Sequence, residues 1–393
     1  MKKNNLLIKM ILLFVSLPLL MWAEDILPEN CCTYNKKSGE KILICKPEQW
    51  NGDLIVYAHG YVAPQKELEL PLDELRFNAG TDDEIFVPEV LMGLGYAFAT
   101  SSFSTNGYAV KEGGKNINAL VKAFEKYNPD TDHVLVVGGS EGGLIATMLV
   151  EKYPEIYDGG LALCGPLGGM PYQIRYLTDF RVVFDYFFDV FYFGATEVPP
   201  AAWRYWGIYK RAIEGYINAD PDSADQLFNV VDVARGPMEE DMVEAAQDIL
   251  GYNIMGFNDL KIKAGGIPYD NKWQWYRGSD DDLDLNWKVE RVQRDRRAKR
   301  YIKKYYKPSG NLQKPLVTLH TTKDPIVPYR HELFYSFQTH VKGNDGNLVM
   351  LPAFAYGHCN FTAAQVMSSF GILVWMSTDK LPSGFVNYLE SMQ

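Results

Sequence analysis

Residues 134–150, VLVVGGSEGGLIATMLV, constrain this chain more than any other stretch. A β-branched, apolar run ends at Gly138, a helix is expected to begin by Glu141, and Ser140 stands in the turn between them. So sharp a turn crowds side chains at the neighbouring positions, and glycine there relieves the crowding. Gly138-Gly139-Ser140-Glu141-Gly142 is the G-x-S-x-G pattern in the strand, turn and helix context that gives it meaning. In that context the hydroxyl is lifted above the sheet edge. The Glu141 N–H at the helix start then faces a negative oxygen developing on a bound carbonyl.

The flanking chain supplies the sheet. "DLIVYA" (residues 53–58), "YAFATS" (96–101) and "HVLVVG" (133–138) read as buried strands. Residues 115–128 place Ile117, Leu120, Val121 and Phe124 on one helical face. After Ser140 a helix continues to Tyr153, stops at Pro154, and is followed by the strand "GGLALCG". The pattern resumes with the strand "PLVTLH" (315–320), a helix near residues 329–341, the strand "NLVMLP" and a closing helix over about residues 361–376. Continuous apolar strands separated by helices predict a mostly parallel sheet covered on both faces. With 393 residues, 47% of them hydrophobic and 22% charged, the chain has ample material for such a core.

Between the two halves, residues 170–310 break the alternation. "YLTDFRVVFDYFFDVFYF" spaces Phe180, Phe184, Phe187, Phe188 and Phe191 as on a helix, and "MEEDMVEAAQDIL" also reads as helix. The expected organisation is a core of residues 24–169 and 311–393 with a helical cap, residues 170–310, over one end of the sheet.

A serine nucleophile needs a base, and the base needs an orienting carboxylate. Of the six histidines, His133 enters the strand before Ser140, His331 and His340 sit on a predicted helix, and His320 precedes the candidate acid. His358 remains, in the glycine-bounded loop "AYGHCNF" after the last strand. Asp324, in "TTKDPIVP", follows the preceding strand at the same carboxyl end of the sheet. The chain order is then Ser, Asp, His. A second oxyanion donor is expected from "YAHGYV", where the N–H of Tyr61 or Gly60 is the candidate and His59 braces the loop.

Together "HGY", "GGSEGG", "KDPIVP" and "GHCNF" frame nearly all of the chain outside the insertion, and on these the sequence resembles the α/β-hydrolase superfamily. "GGSEGG" and "KDPIVP" are similar to secreted esterases and prolyl-oligopeptidase-like members. The resemblance implies an α/β-hydrolase fold with the cap inserted between the strand after the nucleophile helix and the strand before the aspartate. It implies Ser140 as nucleophile, His358 as general base and then acid, and Asp324 as its orienter; no zinc, haem, nucleotide or phosphate-loop pattern stands out, and no cofactor or metal is expected. One departure is Glu141, an acidic residue beside the nucleophile. The first expectation is a carboxylic ester hydrolase acting on a small-molecule or oligomeric ester. The alternatives are a serine peptidase and a hydrolase fold kept only for binding.

The remaining signals bound the setting. Lys2, Lys3 and Lys9 precede an apolar run over residues 10–22, which reads as a signal peptide over residues 1–23, shorter than the roughly 20 apolar residues of a bilayer span. Export predicts a secreted or periplasmic protein with no stable membrane span after cleavage. In such a compartment cysteines can pair: Cys31 or Cys32 could close a short loop with Cys45, Cys164 and Cys359 are far apart and read most plainly as buried free thiols, and the sequence leaves the pairing among the five open. A net charge of −10 argues against a nucleic-acid partner. The aspartates of "GSDDDLD" lack EF-hand spacing and read as a helix-capping turn, and "RVQRDRRAKRYIKK" reads as an exposed charged face.

Overall fold

The sheet starts earlier than the alternating pattern indicates. A computed structural model of the chain describes residues 27–78, 84–238 and 240–381, and the leader expected over residues 1–23 lies outside them. Its first strands, β1 (Cys31–Asn35) and β2 (Lys41–Cys45), form a hairpin ahead of the first strand read from the sequence. β1 is an edge strand whose residues 32–35 are exposed, so no apolar alternation marks it. Cys31 lies directly opposite Cys45, and the two form a disulfide with their Cα atoms 4.0 Å apart.

β3 (Asp53–Ala58), β4 (Ala97–Ser101), β5 (His133–Gly139), β6 (Gly159–Leu163), β7 (Leu316–Lys323) and β8 (Leu348–Tyr356) complete the sheet. Its spatial order is β1-β2-β4-β3-β5-β6-β7-β8. β2 runs antiparallel to β4, and every pair from β4 to β8 is parallel. This is the mostly parallel, helix-flanked sheet of an α/β-hydrolase fold. The strands β3, β5 and β6 are almost wholly buried, as continuous apolar runs covered on both faces must be.

Helices α1 (Val87–Gly93), α2 (Val110–Tyr127) and α3 (Glu141–Lys152) alternate with the early strands. The predicted stripe on α2 is buried at Ile117, Leu120, Val121 and Phe124, each removal from water stabilising by about 1.5–3 kcal/mol. α2 and α3 share one apolar core, and α1 belongs to the other, on the opposite face of the sheet.

Between β6 and β7 the described residues form six α-helices: α4 (Met170–Phe187), α5 (Trp206–Ala219), α6 (Pro221–Val231), α7 (Glu240–Ala264), α8 (Asp282–Lys288) and α9 (Arg296–Tyr305). α4 ends before Phe188 and Phe191, although their spacing continues the helical stripe. The reason lies at Arg181, which is fully buried. Its guanidinium bonds Asp185, Asn253 and the Phe193 carbonyl and stacks 4.0 Å from the Phe191 ring, so the chain folds back around the cation. Asp281 caps α8 through the Asp284 N–H at 2.9 Å, as the aspartate run suggested. The basic stretch becomes α9, which buries Ala298 and Ile302 and leaves its cations outside.

Glu151 of α3 gathers the returning chain, accepting from the Ser309 and Gly310 N–H groups at 2.7 and 2.6 Å and from the Tyr335 hydroxyl at 3.0 Å. α10 (Arg330–Lys342) and α11 (Ala363–Thr378) follow β7 and β8, and α11 packs Phe370 against Tyr96 in the core of α1. Among the described residues no helix is long and apolar enough to cross a membrane.

Candidate active site

β5 delivers Ser140 to the rim of the sheet in a conformation that few residues adopt. Its φ of 52° and ψ of −119° lie outside the allowed regions of an ordinary L-residue. The turn is closed by backbone contact. A Cβ on Gly138 would sit 2.1 Å from the Gly142 oxygen, and one on Gly142 would sit 1.9 Å from the Ala58 oxygen. Glycine is therefore required at both positions by close approach. The Ser140 N–H is held by the Leu163 carbonyl at 2.8 Å, which ties the turn to β6.

The rims of β7 and β8 bring the other two side chains to it. His358 Nε2 lies 2.9 Å from Ser140 Oγ, and His358 Nδ1 lies 2.7 Å from Asp324 Oδ2. A carboxylate only accepts, so the neutral ring carries its proton on Nδ1 and turns the Nε2 lone pair toward the hydroxyl. The other oxygen of Asp324 accepts from the Ile326 and Val327 N–H groups at 2.8 and 2.9 Å, which fixes the carboxylate before His358 meets it. Burial pushes the Asp324 carboxyl up, but the electrostatic pull of His358, and then of His320 3.6 Å away, outweighs it and holds it at about 2. Asp324 is thus ionised across the physiological range.

The neighbouring turn corrects one expectation. The Gly60 N–H, a candidate oxyanion donor, already donates to Glu74 Oε2 at 2.9 Å, and the same oxygen takes the Tyr57 hydroxyl at 2.8 Å. A bonded donor cannot also serve a developing oxyanion, so of the pair only the Tyr61 N–H remains a candidate, beside that of Glu141 at the start of α3. Space does not require glycine at this position: a Cβ on Gly60 would make ordinary contact, 3.5 Å from Ser140 Cβ. His59 is buried, stacks on Phe103 at 3.8 Å and meets the Gly60 carbonyl through Nδ1 at 2.7 Å. Burial pushes its imidazole down, so it is a neutral brace. Nothing in "LDEL" marks Glu74 as a partner of this turn.

The acidic side chain beside Ser140 points into the protein. Glu141 is buried and accepts from the Ala109 N–H at the start of α2. Burial raises its carboxyl from 4.5 to about 8, against the lowering effect of that bond and of Lys263. The folded chain therefore holds this proton where the unfolded chain has lost it. The associated stability is complete below about pH 4.5 and is lost as pH rises through about 8. Glu141→Gln is expected to remove that slope. The variant should gain on the wild type by about 1.4 kcal/mol per pH unit within the window, read by urea unfolding at several pH values.

The cysteines correct a second expectation. Cys164 and Cys359 are joined, with Cα atoms 5.3 Å apart and a sequence separation of 195. Cys164 follows β6 and Cys359 follows His358 beyond β8, and the parallel order β6-β7-β8 puts both at one rim of the sheet. Distance in sequence is no guide where strands run parallel. Cys32 is the free, exposed thiol among the described residues.

Beside His358 lies a cleft of about 820 Å³ between the core and the inserted helices. Tyr61, Trp206, Tyr252 and Met255 form its apolar walls, His358 lies at its base, and Asp73, Glu74 and Asp248 contribute carboxylates. Of the aromatic motifs, "WRYW" lends Trp206 to this wall. "WQWY" does not reach it: Trp273 is exposed, and Tyr276 is buried against Asp179.

No protein-family model matches the chain, and a search of curated proteins finds no relative. Solved structures do resemble it. Acylaminoacyl peptidase of Pyrococcus horikoshii aligns at 12% identity and a TM-score of 0.44 over 92% of this chain and 44% of the peptidase. An esterase of Pyrococcus furiosus aligns at 14% identity and a TM-score of 0.44, over 88% of this chain and 90% of that one. Lipase A of Candida antarctica aligns at 15% identity and a TM-score of 0.46, over 92% and 85%. The chain spans less than half the length of the peptidase chains it resembles.

Proposed function

We propose that this α/β-hydrolase-fold chain is an exported serine hydrolase that cleaves a carboxylic ester through an acyl-enzyme. The observation that carries the reading is the unbroken relay from Ser140 Oγ to His358 Nε2 at 2.9 Å and from His358 Nδ1 to Asp324 Oδ2 at 2.7 Å. In the proposed reaction His358 takes the hydroxyl proton as Ser140 Oγ bonds to the substrate carbonyl carbon. Asp324 stabilises the imidazolium that forms, and the Glu141 and Tyr61 N–H groups receive the oxyanion. Collapse of the tetrahedral intermediate breaks the bond to the alcohol, which leaves with the proton from His358. Water, deprotonated by the same ring, then releases the acid and restores Ser140.

The ester assignment rests on leaving-group chemistry, since an alkoxide departs more readily than an amide nitrogen. The carboxylates of the cleft favour an uncharged or cationic substrate, and Tyr61, Trp206 and Tyr252 favour an apolar acyl or alcohol group. Two disulfides support an oxidising compartment. We assign residues 170–310 the role of a cap over the cleft, because α7 and Trp206 supply one of its walls.

Assay of the purified protein with a short-chain aryl ester and with aminoacyl anilides tests the assignment. Turnover of the ester with little or none of the anilides is expected. Strong anilide turnover with negligible ester turnover would replace the esterase by a peptidase.

A further inference from the structure

Asp324 has a second histidine behind it. Thr318 and His320 lie two residues apart on β7, and α10 packs Glu332 against both. Glu332 Oε2 accepts from Thr318 Oγ1 at 2.5 Å, and Oε1 lies 3.1 Å from His320 Nδ1. His320 Nε2 faces the Val327 carbonyl at 2.8 Å and Asp324 Oδ2 at 3.6 Å. All three residues of the row Asp324, His320 and Glu332 are buried.

A carbonyl oxygen and an ionised carboxylate only accept hydrogen bonds. With such an acceptor at each ring nitrogen, His320 has to donate from both, and a ring that donates twice is an imidazolium. The charges agree: two buried carboxylates at one spot need a cation between them.

We propose that His320 is a permanently charged positioning residue, a buried imidazolium between Asp324 and Glu332 that sets how much of the negative charge behind His358 the ring experiences. The inference rests on the serine-hydrolase reading of Ser140, His358 and Asp324, whose relay it extends by two residues. With the cation in place the row carries one net negative charge. Without it, two carboxylates act on His358, favour its protonated form and withhold the free base from catalysis.

The surrounding groups fit this assignment. Burial alone would push the His320 ring down, yet the carboxylates of Asp324 and Glu332 on either side carry it up to about 10. On α10, His331 is pushed down to about 3, first by burial and then by the charge of His320, with Arg330 adding to it. His331 Nε2 meets Gln173 Oε1 at 3.0 Å, as a neutral donor would. The Tyr329 ring stands edge-on to His320 at 5.7 Å. From the insertion, Tyr176 of α4 donates to the Pro325 carbonyl at 2.5 Å, and Asp248 of α7 is the further carboxylate that acts on His358.

The test joins a spectrum of the wild type to a pH profile of one variant. In nitrogen-15 spectra of histidine-labelled protein, one ring is expected to keep both N–H groups well past neutral pH while the solvent-facing histidines lose theirs. In His320→Gln, the acid limb of kcat/KM for an aryl ester is expected to move up by about one pH unit. A residue that only filled space would lower kcat/KM evenly and leave the limb in place. A wild-type spectrum with no persistent imidazolium overturns the proposal, as does an unmoved limb in a folded His320→Gln variant. If the variant fails to fold, the wild-type spectrum decides alone. Failure of wild-type Ser140 to react with a fluorophosphonate would defeat the hydrolase reading separately, since the spectrum reports the charge of His320 in either case.

Discussion

Ser140→Ala is expected to lower kcat/KM on an aryl ester by about 10⁴- to 10⁶-fold while leaving the fold intact. The nucleophile goes, but the turn that holds it depends on Gly138 and Gly142, where added side chains would strike backbone, and on the Ser140 N–H bond to Leu163. Alanine keeps that N–H and meets the same positive φ that serine does. Melting temperature and circular dichroism should therefore stay close to the wild type. His358→Ala is expected to cost a similar factor, and the double variant no more than either single one, because the two side chains act as one unit. A Ser140→Ala protein keeping a tenth of the wild-type rate would mean that the hydrolysis measured does not pass through this serine.

The second large effect is expected at the disulfide beside the proposed base. Cys164–Cys359 closes a loop of 195 residues and anchors the residue next to His358 to the end of β6. Replacing both cysteines by serine frees that loop in the folded state and lengthens the unconstrained chain in the unfolded state. About 2–5 kcal/mol of stability should be lost, read as a drop in melting temperature of about 2–6 °C. The rate should fall as well, because the His358 ring must be held within hydrogen-bond reach of Ser140 for the proton to pass. A fall of about tenfold or more in kcat is expected, with KM little changed. If stability and kcat both stayed at wild-type values, the disulfide would have no part in holding His358.

What was legible in the sequence follows from which interactions are local. The turn at Ser140 was, because glycine, strand and helix signals all fall within a dozen residues of it. The meeting of Asp324 and His358 with Ser140 also followed, since each comes after a strand of one parallel sheet and parallel strands end at a common rim. The strands β3 to β8 announced themselves as continuous apolar runs. β1 did not, because an exposed edge strand held by a disulfide needs no such run, and the short run of β2, Ile42 to Cys45, stands ahead of the alternating pattern.

Contacts made across the fold stayed hidden. Cys164 and Cys359 meet only through the order of β6, β7 and β8, which residue spacing does not encode. The sequence leaves Gly60 a candidate donor beside Tyr61 because Glu74, 14 residues on, gives no local sign of folding back onto the Gly60 N–H. Glu141 was an open question for the same reason. Its carboxyl is explained by the start of α2, more than 30 residues earlier in the chain. His320 was set aside as a base by its place before Asp324. That place, four residues ahead of the aspartate at the end of one strand, is what lets its ring reach Asp324 from behind. The helical stripe of phenylalanines ran past the true end of α4 because a buried arginine, rather than a proline or glycine, turns the chain there.

The most direct test of the central claim is covalent. Wild-type protein treated with a fluorophosphonate should gain one adduct, mapped by mass spectrometry to Ser140. Labelling should rise with pH as His358 becomes the free base and be absent from Ser140→Ala. An unmodified Ser140 at every pH, or an adduct on another residue that persists in Ser140→Ala, would contradict the account.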